Sequence, residues 1–64
     1  MSALKTYRKS KGWTLAVLGG KLGVTAGAVS NYERGTRAPQ PTKREFIAKF
    51  TRGAVPVSSW EDVQ

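Results

Sequence analysis

Residues 14–35 read TLAVLGGKLGVTAGAVSNYERG, and this stretch decides the fold. Leu15, Leu18 and Leu22 recur at steps of three and four, the spacing that lines one face of a helix. Thr14, just ahead of them, is of the type that caps a helix by accepting a backbone N–H. Gly23 and Val24 break the pattern. Thr25 then caps a second helical run that carries Val29 and Tyr32 inward, and Gly35 stops it after Arg34. Gly19 and Gly20 weaken the first run by about 1 kcal/mol each relative to Ala. A glycine pair there is tolerable where a neighbouring helix packs close enough to need a residue without a side chain.

Working outward, Leu4 and Tyr7 share a face of a helix expected over Ala3 to Lys11, with Lys5, Arg8 and Lys9 mostly on the other faces and Gly12 as its stop. Downstream, Pro39 and Pro41 precede Thr42, which with Glu45 reads as a capping box opening a fourth helix whose buried stripe is Phe46, Ile47 and Phe50. Gly53 closes that helix, and Val55 to Val57 are extended around Pro56. Ser58 with Glu61 repeats the capping-box pattern for a last short turn containing Trp60. The expected fold class is all-α, a compact bundle of about five short helices. It forms one domain over 1–64, with the paired helices at 14–34 and a packing or dimerisation segment at 52–64.

Composition removes whole classes of function. The 64 residues hold no Cys and no His, so disulfides, thiolate or imidazole catalysis and the usual zinc ligands are missing together. Glu61 and Asp62 are adjacent and diverge, and Glu33 and Glu45 lie far apart in sequence, so no carboxylate pair for acid–base work is visible. The chain is expected to be no enzyme and to need no metal or cofactor. The longest purely apolar run, Leu15 to Leu18, is far short of the roughly 20 residues of a membrane span. Eleven basic side chains against four acidic ones give a formal charge of +7, and that charge is uneven. Residues 1–44 carry nine basic and one acidic side chain, while residues 45–64 carry two and three. A basic face of this kind suits a polyanion.

Two short helices joined by a tight glycine turn form a helix-turn-helix, whose second helix enters the major groove of DNA. Leu18, Leu22, Gly23, Val24, Val29, Tyr32 and Glu33 stand at the spacing of one family. The stretch from about Leu4 to Phe50 resembles the Cro and phage-repressor type, the lambda-repressor-like regulators. The end, from Phe50 through Gly53 and Val55 to Trp60, looks like that of some small Cro-like phage proteins.

The resemblance implies a structural ion pair between Arg8 and Glu33, where the residues alone also allow two separate solvated charges. It further implies base contacts from Thr25, Ala26, Gly27 and Asn31, with Ser30 nearer the backbone. Asn31 has the one side chain of these able to bond adenine at two points. Thr25 serves equally as a helix cap. Lys21, Arg34, Arg37, Lys43 and Arg44 would touch the sugar-phosphate backbone. The phosphate-binding glutamine usual at the start of the first paired helix is here Leu15, and Gly19 stands where the family mostly has alanine. Val55, Val57 and Trp60 either pack over Phe46 and Phe50 or present a surface to a second subunit.

The expected function is therefore a sequence-specific DNA-binding repressor of Cro type. It would read inverted half-sites as a homodimer, at least on DNA, without a small-molecule ligand or a membrane, in the cytoplasm of a bacterial host at the nucleoid. The competing expectation is a protein-interaction module presenting Trp13, Leu15 and Val17, whose charge gives only sequence-blind DNA binding.

Overall fold

Thr14 and Thr25 start their helices with the same device. In the computed structural model, which describes residues 2–61, both hold extended backbone and accept on Oγ1 from the N–H three residues on. Thr14 accepts from Val17 at 3.1 Å and Thr25 from Ala28 at 3.0 Å. Ser2 does the same for Lys5. The elements are α1 (Ala3–Lys11), α2 (Leu15–Leu22), α3 (Ala26–Arg34), α4 (Pro41–Phe50) and a 3₁₀ turn (Val57–Trp60). The first three helices end at Gly12, Gly23 and Gly35, each in the left-handed region. Gly23 matters most, because at φ 74° its N–H still reaches back along α2 while the chain turns into α3.

Among the described residues there are four α-helices and one 3₁₀ turn, not five helices. The last element is only four residues long and has Pro56, which carries no capping group, at its start. The Ser59 hydroxyl donates to the Pro56 carbonyl at 2.7 Å, and the expected Ser58–Glu61 capping box does not form. Nor does Thr42 open α4. The helix begins at Pro41, two residues earlier than a Thr42 cap would start it, with Gln40 as an N-cap that makes no side-chain bond. Proline's fixed φ already suits the first helical position, so Thr42 and Glu45 are spent inside the helix. At the other end, the Thr51 hydroxyl donates to the Ile47 carbonyl at 2.8 Å and accepts from Val55 N–H at 3.1 Å. Gly53 N–H then reaches the Ala48 carbonyl at 2.8 Å. Arg52 between them sits at φ 54°, a left-handed conformation that costs a side-chain-bearing residue about 1–2 kcal/mol.

Leu4, Leu18, Leu22, Val29, Ile47, Val55 and Trp60 form the buried core, with Tyr7, Trp13, Leu15, Tyr32 and Phe50 packed against it. Phe46 departs from the expected stripe, being 45% exposed. It precedes the inward-facing Ile47 by one residue, about 100° around the helix, and stacks on Phe50 at 6.1 Å. In the tail, Val55 and Trp60 are buried but Val57 is 43% exposed, so the segment folds back on the core without its middle valine. Asp62 and the two residues after it, the end of the expected tail segment, lie outside the described residues.

The glycine pair in α2 separates into two roles. A Cβ on Gly19 would lie 2.7 Å from the Val24 carbonyl oxygen, while one on Gly20 would meet nothing within 4 Å. Close crossing of α2 under the turn therefore depends on Gly19, and Gly20 carries only the helix penalty. Gly20→Ala is expected to stabilise the fold by about 0.5–1 kcal/mol. Gly19→Ala adds the same propensity but must push the turn backbone away, so urea unfolding should place it about 1 kcal/mol or more below Gly20→Ala. Equal stability of the two variants would contradict the close crossing.

Candidate nucleic-acid interface

The outward edge of α3 is made of small residues. Thr25 and Gly27 are exposed, and Ala26, Ser30 and Asn31 are half-buried. Val29 turns fully inward. Thr25 spends its acceptor on Ala28 N–H, which leaves its hydroxyl proton to donate outward, so the cap role and an outward contact coexist. A side chain at Gly27 would have only the Thr25 hydroxyl oxygen nearby, at 3.9 Å. Internal packing therefore does not call for this glycine, whose effect is a bare patch of backbone at the first turn of α3. There the Ala26 and Gly27 N–H groups, unlike that of Ala28, have no acceptor within the helix, a favourable place for an anion.

Asn31 is already engaged. Its Oδ1 accepts from Arg34 Nη2 at 2.6 Å and lies 3.4 Å from the Thr36 hydroxyl. The carboxamide NH₂ is left to donate, and the oxygen that a two-point adenine contact also needs is shared with Arg34.

The orientation of α3 is fixed from its far end. Arg8 on α1 grips Glu33 with Nε–Oε2 at 2.7 Å and Nη2–Oε1 at 3.1 Å, and its Nη1 donates to the Trp13 carbonyl at 2.9 Å. The two side chains are 13% and 6% exposed. The hydrogen bond to Glu33 raises the Arg8 pKa above its ordinary value, against the opposing effect of burial. Arginine gains its partner on folding, so on the arginine side the associated stability is fully present below its ordinary pKa and is lost as pH rises through the raised one. One group thus ties α1 to α3 and to the loop before α2.

The five cations expected at phosphates differ in freedom. Lys43 Nζ donates to the Leu22 carbonyl at 2.6 Å and so closes the end of α2, and Arg44 Nε donates to the Pro39 carbonyl at 2.7 Å. Lys21 Nζ stands 4.8 Å over the Trp13 ring, and Arg34 holds Asn31. Arg37 is exposed in the loop after α3. Lys43 and Arg44 are half-buried and serve the fold first. Reasoning from sequence missed the capping of α2 by Lys43, which spans 21 residues and carries no local signal. Leu15 packs on the core, as does Trp13, so of the apolar surface expected at Trp13, Leu15 and Val17 only Val17 stands well exposed, at 43%.

Among the described residues, no helix is long and apolar enough to cross a membrane, and no His, Cys, Asp or Glu group gathers that could hold a metal. Neither a curated protein nor a solved structure matches the chain significantly. The helix-turn-helix family profile matches residues 4–53, a span that runs from the second residue of α1 to just past the end of α4. That match covers more than half of the chain, and with α2 and α3 joined by the glycine turn the chain belongs to the helix-turn-helix family of Cro and lambda-repressor-like DNA-binding regulators.

Proposed function

We propose that the chain is a sequence-specific transcriptional repressor of Cro type. It lays α3 in the major groove of an operator built from inverted half-sites, as a homodimer formed at least on DNA, and acts by blocking polymerase access. The observation that carries this reading is the outward edge of α3. Thr25, Ala26, Gly27 and Asn31 stand on a helix whose start is held against Gly19 and whose end is gripped by Arg8. Small residues on a rigid helix let backbone and bases approach closely, and paired half-sites about 34 Å apart supply the selectivity that one short helix lacks. Val57, exposed beside buried Val55 and Trp60, is available to the second subunit. On this reading the protein works in the cytoplasm of a bacterial host, at the nucleoid, over the single domain 1–64.

Arg34 and Asn31 act as a coupled pair in this scheme. Moving the guanidinium to a phosphate frees Oδ1 for adenine, so the backbone contact and the base contact form together. Arg37 adds a phosphate contact, with Lys21, Ser30, Lys43 and Arg44 around it.

Selection of duplexes from a random pool, followed by titration of the winner and of scrambled DNA at two salt concentrations, tests the proposal. An enriched inverted repeat bound about a thousandfold or more above scrambled DNA is expected. Binding that is blind to sequence and vanishes by about 0.2 M salt would instead leave the +7 charge as the whole explanation. Asn31→Ala should relax discrimination at one position by about 1–3 kcal/mol and leave the salt slope unchanged. Arg37→Ala should weaken binding to every sequence and make the slope shallower by about 1. Equal losses for Asn31→Ala on specific and random DNA, or an unchanged slope for Arg37→Ala, would remove that residue from its assigned role.

A further inference from the structure

Away from α3, three aromatic rings from separate parts of the chain meet. Tyr7 of α1, Trp13 of the following loop and Phe50 at the end of α4 lie 6.0 to 6.3 Å apart, ring to ring. They floor a cleft of about 490 Å³ whose remaining lining includes Lys11, Lys21 and Arg52, a size within the range of ligand-binding clefts. Lys11 stands 5.5 Å over the Tyr7 ring and Lys21 4.8 Å over Trp13. No carboxylate lines the cleft and no residue of α3 contributes to it. Three like charges thus converge on one aromatic hollow. Arg52 is also held at φ 54°, a place where glycine would sit without strain.

We propose that this cleft is a docking site for an acidic peptide segment of a partner protein, one that carries a bulky apolar side chain between carboxylates. The apolar side chain lies in the cleft against the floor that Tyr7, Trp13 and Phe50 make, and the carboxylates pair with Lys11 and Arg52, the two cations of the lining that the DNA-binding scheme leaves free. Both halves of the lining are then satisfied, which neither a plain anion nor a plain apolar segment achieves. Duplex DNA offers phosphates but no group to enter the hollow. Single-stranded nucleic acid, which would stack its bases on aromatic rings, is the competing occupant that the test separates.

The test is calorimetric titration of the full chain, with Trp emission read in parallel. The probes are a short peptide of aspartates and glutamates around one phenylalanine, the same peptide with the acids as amides, the same peptide with serine for phenylalanine, and oligothymidylate. Saturable binding of the first peptide is expected, with a loss of about tenfold or more in either altered peptide. Arg52→Gly and Lys11→Gln should each weaken it about fivefold while binding duplex DNA nearly as the parent chain does. Arg52→Gly removes left-handed strain as well as charge, so a normal melt will separate lost docking from lost folding. Three outcomes would overturn the proposal: no saturable peptide binding, unchanged affinity in both variants, or oligothymidylate that binds more tightly and displaces the peptide.

Discussion

Arg8→Ala is expected to lower stability by about 3 kcal/mol, most of the roughly 3–5 kcal/mol that a core of this size supplies. The substitution removes three hydrogen bonds at once, two to Glu33 and one to the Trp13 carbonyl. It also strands a carboxylate whose side chain is 6% exposed. An unpaired buried charge costs more than the pair itself contributes, so the double replacement Arg8→Met with Glu33→Leu should recover part of the loss in urea unfolding. Because both side chains are largely out of water, raising salt should change the parent's stability little through this pair. A loss for Arg8→Ala under about 1 kcal/mol, the range of exposed pairs, would show that the contact is solvated in solution. Glu33 closes the last turn of α3, so the proposed specific DNA binding should weaken more than sequence-blind binding, which depends on summed charge rather than on helix orientation.

What the sequence made legible follows the range of the interactions involved. α1, α2 and α3 begin and end where their residues predict, because Thr14, Thr25 and the terminal glycines act on neighbours three to five positions away. α4 was misjudged at its start because two local signals competed, and Pro41 prevailed over the Thr42–Glu45 box one residue later. Phe46 departs from its expected place for another reason, and the same reason decides between the two places open to Val57. Periodicity says that an apolar residue can face inward but not how wide the core is, and seven buried side chains fill it here without these two. In the candidate interface, the positions on α3 follow from register and family likeness. The engagement of Asn31 by Arg34 is a three-residue contact that helical spacing allows without requiring. The capping of Leu22 by Lys43 and the meeting of Tyr7, Trp13 and Phe50 join parts of the chain brought together only by folding.

Trp60→Ala is expected to leave most of the chain unfolded at room temperature. Trp60 is 3% exposed in the core and meets the Tyr32 ring edge-on at 5.9 Å, and truncating such a ring costs about 3–5 kcal/mol, as much as the whole domain holds. Trp60→Phe separates the causes of that loss. Its ring keeps much of the packing and deletes an indole N–H that has no partner among the described residues. Losing that buried donor offsets part of the smaller volume, so circular-dichroism melts should place Trp60→Phe within about 1–2 kcal/mol of the parent. The consequence for function follows from position, since Tyr32 belongs to α3 and the 3₁₀ turn therefore braces the helix proposed to read DNA. DNA that binds only the folded state should restore helicity to Trp60→Ala as its concentration rises, by mass action. A Trp60→Ala chain that melts cooperatively near the parent's temperature would instead place the tail outside the folding unit, and the support of α3 would then rest on Arg8 and Gly19 alone.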